Sequence, residues 1–553
     1  MNVLGCNVAR HLREAAQRTP HHTATLTPLS LDTEGKVVHT RCSFARLDQE
    51  SDAAARAFHA QGITQGTRTL IAVKPGHDLI ISMFGLLKIG AVPIAIDPGM
   101  GWKKMLACIQ QSKPIALVAI PKAYWLSYLP LSAFSTIKHR LAVGNASWQK
   151  VIEEGISSSP LPLAEVQPNS LAAILFTSGS TGAPKGVCYT HGIFDAQIRL
   201  IKETYRIEPG EVDMAMLPVF ALFNPALGMT TVTPLLDPSR PTAGDPAPLV
   251  SAIQSEKVTN SFGSPAIWSR IAHYCLEQQK SLPSLRRLLI AGAPVPPRLL
   301  EQLRRIAPHC QIFTPYGATE CLPVSSIESS EILSETYASS LLGLGTCVGR
   351  PVAGVEIKVI QEKKGVIHSM QEAEICPAGM IGEIIVTGPS VTSSYDHLPE
   401  ATARAKIRDG EKIWHRMGDL GRLDTLGRLW FHGRCVEKVE TPLGAITTES
   451  IEPLFRDHEA VERCALIGIG KAPQQTPVLV VELKPEHTPL NGEEKESLLR
   501  SLRQKASNHP LSIHIKEIVF QEKLPVDVRH NAKIHRLQLA REWTQKLGHL
   551  ISR

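Results

Sequence analysis

The chain has 553 residues, 43% of them apolar and 20% charged, with a formal net charge of +7. That length exceeds one ordinary hydrophobic core and predicts either one large domain with a satellite or several domains. The charge is small for the size and forms no long basic block, so it gives nucleic-acid binding little support. Eleven cysteines run from Cys6 to Cys464 without a C-x-x-C pair, which argues against a disulfide framework or a zinc site and suits a reducing cytoplasm.

In chain order, the opening MNVLGCNVARHLREAAQ reads as an amphipathic helix, with charges where a signal peptide would need an apolar core. The most apolar long stretch, residues 79–96, carries Lys88, Gly90 and Pro93. It reads as a buried helix followed by a strand rather than a membrane span. Short apolar runs then alternate with helical patterns for most of the length, the signature of α/β layering. The stretch DPSRPTAGDPAP (237–248) reads as a Pro-rich surface loop. In SLRRLLIAGAPVPPRLLEQLRRIAP, residues 288–291 make a strand, a Gly/Pro turn follows, and Leu299, Leu300, Leu303 and Ile306 mark one helix face. Texture changes near Gly433: PVLVVEL (477–483) reads as a strand, about 493–506 as a helix, LSIHI (511–515) as an alternating strand, and a last helix starts near Lys533. That order fits a small α+β domain, with the boundary placed between residues 434 and 435.

The sharpest segment is LAAILFTSGSTGAPKGVCYTHG, residues 171–192. An apolar strand feeds a hydroxyl-rich turn of Thr177, Ser178, Gly179, Ser180, Thr181 and Gly182, closed by Pro184, Lys185 and Gly186. Glycines let backbone N–H groups approach a polyphosphate, hydroxyls add donors, and the lysine adds a point charge. No G-K-[ST] triplet closes the loop, so it is not a Walker loop.

This loop resembles the phosphate-binding signature of the adenylate-forming superfamily, which holds acyl-CoA synthetases, nonribosomal-peptide adenylation domains and luciferases. Further segments match the family's order along nearly the whole chain: LLKIGAVPIAIDP (86–98), IAGAP (290–294), YGATE (316–320), GEIIVTGPSVTSSY (382–395), RMGDLGRLD (416–424), Gly433-Arg434 and LPVDVRHNAKIHR (524–536). The resemblance implies a large N-terminal α/β body (1–434) binding nucleotide and acyl group, with a small mobile α+β lid (435–553). It implies ATP and Mg²⁺ as cofactors and a small carboxylic acid as substrate. Tyr316 would stack on adenine, with Gly317 beside it and Gly292 and Ala293 edging the base. Asp419 would accept from the ribose hydroxyls, and Arg434 would lie near ribose and phosphate. Thr177, Thr181, Lys185 and Thr319 would hold phosphate oxygens with the rest of the 178–182 turn, Glu320 would bind Mg²⁺, and Lys533 would bridge carboxylate and α-phosphate. Taken singly, Asp419 reads as a turn residue, Glu320 as a cap and Lys533 as a solvated helix-start lysine.

The chain departs from the acyl-CoA synthetase pattern where Val436 stands two residues past Arg434 and where Glu440, Thr441, Pro442 and Leu443 replace basic residues and a glycine. Ala221 also stands where many relatives have histidine. These departures, with YGATECLPVSSI and PVDVRHNAKIHR, resemble the β-lactone synthetases of long-chain olefin biosynthesis. The resemblance implies that a 2-alkyl-3-hydroxy fatty acid is activated as its acyl-AMP and then closed by its own hydroxyl. Two alternatives stay open: a fatty acid–CoA or carrier-protein ligase, and a catalytically inactive nucleotide-binding regulatory relative. His191 is a candidate base for ring closure, although a histidine just past a strand is more often structural. Residues 218–229 and 261–268 read equally as acyl-tunnel lining or as core.

Overall fold

The computed structural model describes residues 5–33, 35–156, 159–177, 183–217, 220–237, 244–488, 491–515, 517–527 and 533–551. Two sheets organise the large body. The first runs His139–Ala142, Ala116–Ala119, Arg68–Ala72, Val92–Ala95, Leu171–Thr177, Lys185–Thr190. Its first five strands are parallel and the last is antiparallel. Parallel strands are covered on both faces, which is why ALVA (116–119) and LAAILFT (171–177) read as unbroken apolar runs. Helices Phe44–Ala60 and His77–Lys88 pack on this sheet through Phe44, Leu47, Phe58, Phe84 and Leu86.

Lys88 interrupts the apolar 79–96 stretch for a structural reason. Its ammonium is fully buried, donating to Asp48 at 2.5 Å and to Asp52 at 2.6 Å, so the cation is paired and clamps the two helices.

The second sheet has fourteen strands among the described residues, with parallel pairing from Gln311–Ala318 to Thr23–Leu31 and antiparallel pairing on either side of that run. The parallel run includes Asn260–Gly263, Arg287–Ile290 and Gln311–Ala318, and the helices Ala247–Ser255, Pro265–Glu277 and Pro297–Ile306 bury Val250, Trp268, Leu300 and Leu303 in its core. From Gln311–Ala318 onward pairing turns antiparallel, ending in the neighbours Lys412–Leu423 and Leu429–Arg434.

A buried acid lies in the parallel run. Burial pushes the Asp213 carboxyl up to about 7, and the Asn224 amide donates to it at 2.8 Å. A carboxyl with a raised native value binds more protons folded than unfolded, so its contribution to stability is full below the ordinary value near 4 and is lost as pH rises through about 7. Asp213→Asn is therefore expected to raise the thermal midpoint at pH 8 and to leave it nearly unchanged at pH 4. Denaturation scans at the two pH values check this; an equal shift at both would contradict it.

After Arg434 the chain leaves the large sheet. Val439–Thr441 and Gly444–Ile446 form a separate hairpin, and Val461–Ile469, Thr476–Leu483 and Glu517–Phe520 form a three-stranded sheet. Side chains alternate across it. Leu466, Leu479 and Val481 face helices Thr448–Arg456 and Gly492–Ser507, while Ile467, Val478 and Val480 face the last helix, Arg536–Ile551. The architecture is a large N-terminal α/β body with a smaller α+β unit behind it.

Two expectations fail locally. Residues 511–514 form a turn and not a strand: the Ser512 hydroxyl donates to Ala506 O, and the amides of Ser512 and Ile513 both donate to His509 O. Those bonds wrap the chain around the helix end and consume the groups a strand would pair. The third strand falls later, at Glu517–Phe520. The Pro-rich loop ends earlier than expected, because Pro246 caps a helix starting at Ala247; its residues 238–243 lie outside the described residues. All eleven cysteines are free thiols, and no described helix is long and apolar enough to cross a membrane.

Candidate active site

A cleft of about 1800 Å³ opens between the two sheets and the C-terminal unit. Its polar end is built from strand ends. Gly292 and Ala293 follow Arg287–Ile290, Tyr316 and Gly317 close Gln311–Ala318, and Thr319 and Glu320 form the turn into Cys321–Glu328. Asp419 and Arg434 face each other as cross-strand partners. Lys533 reaches the same cleft from the C-terminal unit.

Asp419 is the hub of this end. Arg434 donates to its Oδ1 at 2.6 Å and the Tyr316 hydroxyl to its Oδ2 at 2.5 Å. The carboxylate raises the Arg434 guanidinium further above its ordinary value. Burial and then Asp419 push the Tyr316 phenol up, so it stays a donor. Arg434 also donates to Met417 O at 2.9 Å, passing across Gly418, whose φ of +65° favours glycine.

Glu320 is held from behind. The Tyr395 hydroxyl donates to Glu320 Oε1 at 2.6 Å, and the Thr392 amide and hydroxyl donate to Glu320 O at 2.9 and 3.1 Å. Burial alone would raise the Glu320 carboxyl, but His415, Tyr395 and Lys406 together hold it below its ordinary value. His415 is itself pushed down to about 3 by burial and by Lys406, so at neutral pH the cation beside Glu320 is Lys406. Burial lowers that lysine to about 8, and its ammonium donates to Thr392 at 3.3 Å. Glu320 is thus a charged carboxylate on the cleft wall, which fits a magnesium ion bound by one carboxylate plus substrate phosphates and water.

Backbone pairing fixes Lys533 in place: the Asp527 amide donates to Lys533 O at 2.8 Å and the His535 amide to Pro525 O at 2.8 Å. Burial, then repulsion from Arg434, holds its ammonium below the ordinary value, against the pull of Asp419, Glu437 and Asp527. Three residues on, Arg536 donates to Glu452 at 2.6 Å and to Glu437 at 3.3 Å. That buried ionic knot ties the start of the last helix to the segment just past Arg434. Gly433 has φ +114°, and a Cβ there would lie 2.2 Å from the Thr448 hydroxyl, so only glycine fits where the body meets the C-terminal unit.

Of the glycine-rich turn, Ser178, Gly179, Ser180, Thr181 and Gly182 lie outside the described residues, and only the backbone of Thr177 is described, at its strand's end. The Lys185 ammonium lies 4.8 Å from the Tyr395 ring centre, on the aromatic that carries Glu320. His191 does not face the cleft. It is buried, burial lowers it to about 4, and its Nδ1 accepts from the Val8 amide at 3.2 Å. Tyr395, Lys406, Glu437 and Arg536 were not singled out from the sequence; Tyr395 ends the quoted 382–395 motif, the one signal pointing to it.

The far end of the cleft is apolar, lined by Met83, Phe84, Leu87, Phe194 and Phe223. Residues 218–229 and 261–268 divide between the two readings given above: Phe220 and Phe262 stack at 3.8 Å on the cleft wall, whereas Met229 and Trp268 are core. Pro218 and Val219 lie outside the described residues.

Residues 12–396 match the family model described as AMP-binding enzyme. The chain belongs to that family. Membership makes it an AMP-forming, adenylate-forming ligase. Among relatives of this AMP-binding enzyme are the olefin β-lactone synthetases of Xanthomonas campestris pv. campestris and of Stenotrophomonas maltophilia. Each is 40% identical to it and aligned over 97% of both chains. In fold it resembles the anthranilate CoA ligase AuaEII in complex with anthranoyl-AMP (TM-score 0.81, 19% identity, 98% of each chain). It also resembles the amide bond synthetase McbA of Marinactinospora thermotolerans (TM-score 0.78, 21% identity, 98% of this chain and 99% of that one).

Proposed function

We propose that this AMP-binding enzyme activates a long-chain 3-hydroxy acid with ATP, forming acyl-AMP and pyrophosphate, and then closes the acyl-AMP to a β-lactone. The observation that carries the reading is the meeting of Lys533 with Asp419, Arg434, Tyr316 and Glu320 in one large cleft whose other end is apolar. Its volume exceeds the range of about 300–1000 Å³ usual for a single small ligand, which leaves room for a nucleotide and a long acyl chain together.

In the first step a carboxylate oxygen attacks the α-phosphorus and pyrophosphate leaves in line. Two anions must approach, so charge compensation is the main task. Lys533 bridges the carboxylate and the α-phosphate. Asp419 accepts from the ribose hydroxyls and Tyr316 covers the adenine, with Gly292, Ala293 and Gly317 at its edge. Arg434 adds charge near ribose and phosphate. Thr319, Lys185 and the 177–182 turn hold phosphate oxygens, and Glu320 holds Mg²⁺, which supplies positive charge to the phosphates when bound. Residues 435–553 act as a mobile lid hinged at Gly433-Arg434, so that closing delivers Lys533.

In the second step the 3-hydroxyl oxygen attacks the acyl carbon, AMP leaves and the hydroxyl proton is lost. The nucleophile is already tethered, so effective concentration replaces a second acceptor site. The hairpin at 439–446 supports this reading, because Glu440 lies there, 3.5 Å from Lys438, where CoA-using relatives are expected to carry basic residues.

Incubation with ATP, Mg²⁺ and a 2-alkyl-3-hydroxy acid, with and without CoA, followed by mass spectrometry, tests the proposal. A product 18 mass units below the acid, formed equally without CoA, is expected from the loss of one water on ring closure. A thioester that needs CoA would replace lactone formation with the ligase reading. No pyrophosphate release over a broad acid panel would leave a nucleotide-binding regulator.

A further inference from the structure

Outside the lining of the cleft, a cluster of aromatic and aliphatic side chains faces solvent. It lies on and after the short helix Pro121–Leu126. Trp125 is 70% and Tyr128 56% exposed, and Leu126 and Leu129 between and beyond them are also exposed. Tyr124 packs edge-on against Trp125 at 5.3 Å and against Tyr128 at 5.5 Å, so the rings form one raised surface. The Arg140 guanidinium lies 4.7 Å above the Tyr128 ring.

The chain segment that carries this surface is basic. From residue 98 to residue 152 the sequence contains seven Lys or Arg and no Asp or Glu. Lys122 is exposed beside Trp125, and Trp102, Lys103 and Lys104 are exposed at the start of the helix Trp102–Ser112. Met105 and Leu106 of that helix and Tyr124 of the next pack on one shared core. Both helices follow the C-terminal ends of parallel strands, Val92–Ala95 and Ala116–Ala119. From the same sheet edge Val73, Gly76, Ile96 and Asp97 reach the cleft.

Exposed apolar patches of this kind mark interaction sites. Trp and Tyr with aliphatic neighbours suit the headgroup level of a bilayer, and surrounding lysines are attracted to anionic lipid. Leu126 and Leu129 offer nothing to a nucleobase, which would be held by stacking. We infer that the surface formed by Trp102, Lys103, Lys104, Lys122, Trp125 and Tyr128 docks the enzyme peripherally on an anionic lipid bilayer. This rests on the surface alone and is independent of the acid that is activated.

The test uses the full chain without ATP or acid, mixed with vesicles of phosphatidylcholine containing phosphatidylglycerol, or of phosphatidylcholine alone, and sedimented. Binding to the anionic vesicles is expected to be at least about tenfold stronger, since each basic residue near such a surface adds roughly fivefold. It is expected to weaken steeply in about 0.5 M salt. Trp125→Glu/Tyr128→Glu is expected to abolish binding to both vesicle types. Lys103→Glu/Lys104→Glu is expected to lose the preference for anionic lipid, with circular dichroism unchanged in either variant. Absence of sedimentation with both vesicle types would overturn the inference. So would vesicle binding unaffected by both variants, or a wild-type dimer in light scattering that the aromatic variant dissociates, which would assign the surface to a second copy of the chain.

Discussion

Lys533→Ala is expected to lower acid-dependent pyrophosphate exchange by about 10²–10³-fold, the usual cost of removing one preorganised group that meets developing charge. ATP should still bind, because Tyr316, Asp419 and Arg434 belong to the large sheet and do not depend on the lysine. The fold should survive as well. Lys533 is fixed through backbone groups, and the neighbouring ionic knot is made by Arg536. Titration calorimetry with ATP and the exchange assay separate the two effects. Near-wild-type exchange would remove the lysine from the chemistry, and lost ATP binding would show that it holds the ground state.

Asp419→Ala is expected to destabilise the protein by about 3 kcal/mol, the lower end of what removing one partner from a buried ion pair costs. The lower end applies because the Arg434 side chain keeps roughly a quarter of its exposure and its bond to Met417 O. The variant leaves a guanidinium without its carboxylate and a buried phenol without its acceptor, so nucleotide affinity should fall together with stability. Urea denaturation and ATP titration check both. Asp419→Asn keeps the size of the side chain and is expected to lose less stability than Asp419→Ala. Equal midpoints for Asp419→Ala and wild type would mean the pair contributes nothing to the fold.

The contrast between these two residues shows what a sequence can reveal about such a site. Asp419, Tyr316, Glu320 and Lys533 lie inside contiguous motifs, and the structure brings all four to one cleft. The groups around them show no sign of their role in the sequence, even where they end a quoted motif as Tyr395 and Arg536 do, because that role arises from contacts between distant segments. Tyr395 matters through a hydroxyl placed on a carboxylate 75 positions away, and Arg536 through a bond spanning 84. Lys406 has nothing in ARAKIRD to mark it and becomes significant only when burial brings it near Glu320.

The fold shows the same division. Strands buried on both faces, such as Leu171–Thr177 and Thr476–Leu483, carry apolar runs that survive in isolation. At 511–514 the alternation was real, but it lost to local bonds from Ser512 and to the amides that wrap the helix end. A period-two pattern four or five residues long cannot register such bonds.

The apolar end of the cleft has an unusual construction. Val8 forms part of its wall, and the residues around Val8 are fastened by polar bonds: Asn7 to Leu87 O and Ala164 O, the Val8 amide to His191, and Arg10 and His11 to Asp195. His191 and Asp195 both belong to the helix His191–Tyr205, whose Phe194 and Ile198 face the same space. The wall at that end is therefore a packed joint between the N-terminal segment and the helix His191–Tyr205, and the side chain at position 8 bounds the space between them.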